Sequence, residues 1–215
     1  MADFSHLLPS QFLLYGNDGY DSHVVRLLLE EKQLSYELAY IQDERPEELA
    51  QLNPYATLPI LVNRDLALYE INTIFEYLEE RHGAAKLLPA TPKERASTRQ
   101  LAWRLQTDWL SLGRTLLTHP DSFDEMQAKI ARQSLSNSLI TLSPLFNKHE
   151  YFLSEQFGWC DILLAPLFWR LPKMGVHLPA HICKPLINYQ QRLFLRQSFK
   201  NSLKPLPNYL DKYTE

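Results

Sequence analysis

The spacing of apolar residues changes partway along the chain, and no other feature limits its possible folds as much. Up to about Arg81, apolar runs of strand length alternate with stretches of helical spacing; beyond Pro92 only helical spacing remains. The 215 residues suffice for one large domain or two small ones with a real core. With 45% hydrophobic and 22% charged residues, the composition is that of an ordered globular chain. The longest uninterrupted apolar run covers residues 162–169 and contains Pro166, too short to span a bilayer. Pro9, Ser10 and Gln11 interrupt an N-terminus that lacks a basic region followed by an apolar stretch, so no signal peptide is expected. Two cysteines, Cys160 and Cys183, are too few for a disulfide framework. A cytoplasmic protein with reduced thiols is expected.

Residues 11–15 (QFLLY) read as a buried strand stopped by Gly16-Asn17-Asp18-Gly19. Asp21 or Ser22 can cap a helix that buries Val25, Leu28 and Leu29 and runs to about Lys32. Alternation in residues 36–41 suits a second strand, and Pro46 can begin a short helix that ends before Asn53-Pro54. Residues 60–62 and 66–69 form a hairpin pattern, and Ile71, Ile74, Phe75 and Leu78 carry a third helix to Arg81. The order β-α-β-α-β-β-α implies a parallel crossover plus an antiparallel hairpin, a thioredoxin-like α/β arrangement. The predicted organisation is a thioredoxin-like domain over residues 1–81, a linker over 82–92 and an all-α helical domain over 93–215. Within the last, Leu101, Leu105, Trp109 and Leu112 share one face of a long helix. A second helix spans about 124–146, kinked near Pro144; a third, apolar nearly all round, spans about 159–171. Ile187, Leu193, Leu195 and Phe199 mark two further helical pieces.

Leu58-Pro59-Ile60 is the most informative motif for chemistry. A proline entering the third strand of such a fold is usually cis, which leaves the backbone groups of Leu58 free to bind a peptide such as glutathione. A trans proline at a strand start is the alternative. Glu70 lies between a strand and a helix, where a carboxylate caps helix N–H groups or binds a ligand ammonium. The end of the first strand would hold a reactive group, but Gly19-Tyr20-Asp21-Ser22 contains no cysteine, so disulfide exchange is excluded. Ser22 is either an N-cap or a weak thiol-activating hydroxyl. Tyr15 is either an ordinary strand aromatic or a phenol presented at the strand end. His177, His181 and Cys183 mimic a metal site, but Pro179 keeps the two histidines off one helix face, and no metal or other cofactor is expected. Asp161, at the start of the apolar helix, reads as a buried cap.

Charge is uneven. Residues 30–80 hold 12 acids and 3 bases, whereas residues 162–210 hold seven bases and no acid. Such asymmetry can steer a charged macromolecule, or it can belong to screened, solvated faces. The bases are too scattered for a nucleic-acid motif, so no direct sequence-specific nucleic-acid binding is expected.

Asn53-Pro54, Leu58-Pro59-Ile60-Leu61, Leu68-Tyr69-Glu70 and residues 77–81 (YLEER) together resemble the N-terminal domain of the glutathione transferase superfamily. Residues 157–166 (FGWCDILLAP) resemble the capping motif of its helical domain. Within that superfamily the chain is similar to the stringent starvation protein A family. That likeness rests on Tyr20-Asp21-Ser22-His23 with Val25-Arg26, Asp108-Trp109, Tyr151-Phe152-Leu153-Ser154, LAPLFWRLP over 164–172 and RLFLRQSFKNSL over 192–203. The resemblance covers nearly the whole chain and implies a glutathione transferase-like fold, a homodimer and no catalysis. It further implies binding to RNA polymerase holoenzyme that alters promoter use under stress or starvation.

Several positions depart from the superfamily. Its Ser or Cys activating position falls on Gly19, and the serine that usually follows the strand-end acid is replaced by Ile71. The resemblance therefore implies a vestigial glutathione-type cleft at Tyr15, Leu58, Pro59 and Glu70, with a Tyr15-dependent transferase as the alternative. The family's exposed Pro-His-Pro-Pro stretch corresponds to Gly83, Ala84, Ala85 and Lys86, and Gly158 stands where a Ser or Thr cap is usual. The expected partner surface comprises those four residues with Tyr20 and Arg81.

Overall fold

The computed structural model describes residues 11–42, 47–64, 66–82, 85–118 and 125–203. The chain forms two compact units, one of residues 1–85 with 197–215 and one of residues 86–196.

The first unit is built on a four-stranded sheet in the order β2-β1-β3-β4. Its strands are β1 (Phe12–Gly16), β2 (Tyr36–Tyr40), β3 (Ile60–Asn63) and β4 (Leu66–Leu68). β1 pairs parallel with β2, and β3 runs antiparallel to both β1 and β4. Helix α1 (Tyr20–Glu31) makes the crossover, followed by α2 (Glu47–Leu52) and α3 (Ile71–Arg81). Strand alternation sends Leu13 and Tyr15 to a cluster centred on Leu49, Ile60 and Val62, while Phe12 and Leu14 are buried on the opposite face. This is the thioredoxin-like arrangement expected from the order of elements.

α1 is not capped by Asp21 or Ser22. Gly19 is its N-cap and makes no side-chain cap bond, because the helix starts one residue before Asp21. Ser22 instead lies inside the first turn, where its hydroxyl accepts from the Asn17 N–H at 3.1 Å and bonds to Asn17 Oδ1 at 3.1 Å.

The second unit is helical. α4 (Pro92–Leu105) passes through a π turn (Gln106–Leu110) into α5 (Ser111–Thr118), so the long helix expected here is interrupted. Within the interruption Trp109 stays buried and donates to Ser138 Oγ at 2.8 Å. α6 (Glu125–Leu142) gives way to a 3₁₀ turn (Ser143–Asn147) at Pro144, as a helix-breaking proline requires. α7 (Trp159–Trp169) is buried from Trp159 to Phe168 and forms the centre of the unit. α8 (Ala180–Leu195) completes it.

The last of the described helices, α9 (Gln197–Ser202), corrects the expected division. The helical spacing predicts one domain over residues 93–215, yet α9 belongs to the first unit and packs on α1. His23 and Ser202 are hydrogen-bonded at 2.9 Å, and Arg26 donates to the Ser202 carbonyl at 2.9 Å. Asn201 donates to Glu30, Ser198 donates to Glu31, and the buried Phe199 ring lies 5.3 Å from that of His23. Among the described residues, no helix is long and apolar enough to cross a membrane.

Candidate functional site

Two places could carry function, one in each unit. In the first unit, the Leu58–Pro59 peptide bond is cis, directly ahead of β3. Asn53, fully buried, prepares this turn: its amide donates to the Thr57 carbonyl at 2.8 Å and its oxygen accepts from the Tyr55 N–H at 3.0 Å. Tyr15 is paired with Ile60, and Tyr15 and Leu58 pack against the same apolar cluster. The tyrosine is therefore a strand aromatic on the face that also carries the cis-proline turn.

Glu70 caps α3. Its carboxylate accepts from the Thr73 N–H at 2.9 Å, the Thr73 hydroxyl at 3.2 Å and the Asn72 amide at 2.8 Å. Of the two roles the sequence allows, this is the capping one. Ile71, in the position where the superfamily usually has serine, is 4% exposed and belongs to the core. Ser22 is buried and held in the Asn17 loop, whose carbonyl also accepts from Arg26 at 2.7 Å. Three hydroxyl or carboxyl positions that would serve a thiol peptide are thus occupied by the fold's own backbone or core.

The second place is a groove of about 620 Å³ in the helical unit, between the segment entering α4, the face of α4 and the loop ahead of α7. Lys86 and Lys93 are exposed on its lining. Its acids have other duties: Glu94 bonds the Thr91 hydroxyl at 2.7 Å in the α4 cap, and Glu155 pairs with His149 at 2.6 Å. The floor is fixed by the Trp159 N–H, which donates to the Leu87 carbonyl at 3.0 Å. A Cβ on Gly158 would lie 3.0 Å from that carbonyl, a tight approach that glycine avoids.

Asp161 shapes the loop wall. Its carboxylate accepts from the Phe152 N–H (2.9 Å), the Gly158 N–H (2.8 Å) and the Tyr189 hydroxyl (2.5 Å). Burial pushes its pKa up to about 6, and these three donors pull in the opposite direction. Arg196 lies 3.9 Å over the Phe157 ring and donates to the Tyr151 hydroxyl at 2.8 Å. The loop closes on a Tyr151–Ser154 bridge that turns at Leu153, which has a φ of 54° and keeps its side chain 43% exposed on the groove. Cys160 below is inert as a nucleophile, because burial and the neighbouring Asp161 push its thiol up to about 12.

The residues expected to form a partner surface are treated unevenly by the structure. Tyr20 is 5% exposed and lies in the core, so it leaves that surface. An aromatic in the first turn of α1 is turned inward with Val24 and Leu27, which periodicity counted from Val25 did not reveal. Arg81 is exposed, with its guanidinium 5.8 Å over the Tyr77 ring. Gly83 and Ala84 lie outside the described residues. Ala85 is half-buried with its carbonyl engaged, and Lys86 is exposed on the groove. Among the described residues, no three His, Cys, Asp or Glu side chains converge where a metal could sit. The groove as a whole has no signal in the sequence, since its walls come from distant segments, although YFLS over 151–154, the capping motif that begins at Phe157, Asp161 and Lys86 all line it.

Family models for the N-terminal and C-terminal domains of glutathione S-transferase match residues 22–81 and 105–193. The stringent starvation protein A homolog of Coxiella burnetii is 39% identical over 183 residues, covering 85% of this chain and 86% of that protein. The homolog from Histophilus somni is 36% identical over 182 residues, 84% of each. A crystal structure of a glutathione S-transferase from Rhodospirillum rubrum superposes with a TM-score of 0.78 at 22% identity, covering 90% of this chain and 92% of that one.

Proposed function

This chain belongs to the stringent starvation protein A family and has a glutathione transferase-like fold, and from that premise we propose that it is a non-catalytic transcription regulator. In this reading it acts as a homodimer that docks on RNA polymerase holoenzyme in the cytoplasm and alters promoter use under stress or starvation. The observation that carries the non-catalytic part is the fate of the strand-end acid. Glu70 is committed to capping α3, and its neighbour Ile71 is buried core where a serine would bind a γ-glutamyl carboxylate. A ligand site lacking one such polar contact loses about 1–3 kcal/mol of affinity.

The docking surface in this reading is the groove of the helical unit on the side of Lys86 and Lys93. Two exposed ammonium groups beside Leu153 suit an acidic segment with an apolar anchor. Binding of the purified protein to RNA polymerase, with and without sigma factor and over a range of salt, tests this. Saturable binding with a Kd of about micromolar or tighter is expected, weakening as salt rises. The double substitution Lys86→Glu/Lys93→Glu should weaken it about tenfold or more, mainly in the association rate. Absence of binding to either form of the polymerase overturns the reading.

The cis-proline turn and Tyr15 favour a second reading, a glutathione transferase that uses the phenol to stabilise a thiolate. Conjugation of glutathione to an activated aryl halide, abolished by Tyr15→Phe, would establish that reading in place of the first.

A further inference from the structure

Leu153 holds a backbone conformation that leucine rarely takes. Its φ of 54° is left-handed, where a turn usually places glycine or asparagine. Its side chain is nevertheless exposed, so burial does not offset the backbone cost. The turn around it is fixed on both sides. The Tyr151 N–H donates to the Ser154 carbonyl at 2.9 Å, closing the bridge. The Phe152 ring is buried, 5.2 Å from that of Phe146 and 6.4 Å from that of Trp109. With Phe152 committed to the core, Leu153 lines the groove together with Leu87, Leu101 and Phe157.

Arg196 clasps this turn from the end of α8, which it leaves with extended angles (φ −61°, ψ 138°). Its guanidinium lies 3.9 Å over the Phe157 ring and 5.6 Å from the centre of the Tyr151 ring, and it donates to the Tyr151 hydroxyl at 2.8 Å. The two rings meet edge to face at 5.5 Å. One flat cation thus joins the two ends of the turn, which the compact ammonium of a lysine could not do. Arg192 adds a bond from Nε to the Glu150 carbonyl at 3.1 Å. Tyr151 and Arg196 lie in two of the segments that carry the likeness to the stringent starvation protein A family, and the fold brings them together across 45 residues of sequence.

We propose that Leu153 is the apolar contact for the docked partner and that Arg196 is the positioning residue that holds it on the groove. The proposal rests on the polymerase-docking reading for the partner, an acidic segment with an apolar side chain drawn to Lys86 and Lys93. The clasp itself stands separately.

Leu153→Asn tests the contact. Asparagine takes left-handed angles readily, so the urea midpoint should hold or rise while binding to RNA polymerase weakens about tenfold. Stability and binding lost together, or binding unchanged, overturns the contact. Arg196→Gln tests the clasp. Its amides over residues 151–158 should exchange with deuterium about tenfold faster or more, and its binding should weaken about tenfold. Tyr151→Phe removes only the phenol oxygen, keeps the fold, and should accelerate the same amides; unchanged exchange in both variants overturns the clasp. Arg196→Lys keeps the charge and should still bind weakly, whereas wild-type binding would reduce Arg196 to a steering charge and overturn its positioning role. Gly113→Ala, which perturbs packing against Leu167 in the same unit, should bind as the wild type does. Equal weakening there would show a mere stability effect and overturn the proposal. Should the wild type itself bind no polymerase, the docking reading falls and the contact with it, while faster exchange in Arg196→Gln still upholds the clasp.

Discussion

His82 ends α3 with a polar atom that is buried without a hydrogen-bond partner. That atom is Nε2, and the ring stands edge-on to Phe12 at a centroid distance of 5.5 Å. Burial, reinforced by the Arg81 and Lys32 charges, holds its pKa below the usual histidine value of 6.5. The neutral form is therefore favoured in the folded chain. The stability this contributes is present above the unfolded value and disappears as pH falls through the lower folded one. His82→Phe removes an unsatisfied atom and keeps an aromatic partner for Phe12. It should raise stability by about 1 kcal/mol near neutral pH. It should also flatten the decline in urea midpoint expected of the wild type below about pH 6.5. A variant that is less stable, or that keeps the same acid slope, would show that the ring nitrogen is not the source.

Helix α5 meets α7 at a glycine. A Cβ built on Gly113 would lie 2.6 Å from Leu167 Cδ1, and Leu167 is fully buried. Gly113→Ala gains about 1 kcal/mol of helix propensity but forces a close-packed neighbour aside, at about 1–3 kcal/mol. A net loss of about 1 kcal/mol is expected in the urea midpoint; an unchanged or higher midpoint would mean that Leu167 can yield. Elements of this kind were partly legible in the sequence. Short apolar runs between turn residues located all four strands, and Leu58-Pro59-Ile60 announced the cis turn, because strand alternation and proline chemistry act locally. The π turn was not legible. Leu105 and Trp109 lie four residues apart and suit an uninterrupted helix equally well, so their spacing does not mark the wider turn. The same limit hid Tyr20, which the fold buries to 5% exposure, and Lys32, whose partners lie far along the chain.

Among the described residues, part of the charge asymmetry read from the sequence is absorbed by internal bonds. Glu30 and Glu31 face α9, while Arg192 and Arg196 hold carbonyls, a phenol and aromatic rings. Arg170 is buried with its guanidinium on the Pro166 carbonyl. Steering of a charged partner accordingly falls to fewer groups than the seven bases counted. The α9 seam on α1 has a measurable counterpart. A chain ending at Arg196 should show faster amide exchange throughout α1, since Arg26 and His23 lose Ser202 and the Phe199 ring is gone. Exchange in α7 should stay as in the full chain, and equal loosening of both would contradict the division into units.

The return of residues 197–203 to the first unit has a consequence for biosynthesis. A ribosome makes the sheet and α1 first, then all of residues 86–196, and only then the helix that covers His23 and Arg26. The first unit is thus finished only after the second has been made. Until residues 197–203 have been added, its α1 presents a buried-type arginine, a histidine and an empty aromatic seat to the surroundings of the nascent protein. A stalled or prematurely released chain is marked by that open face.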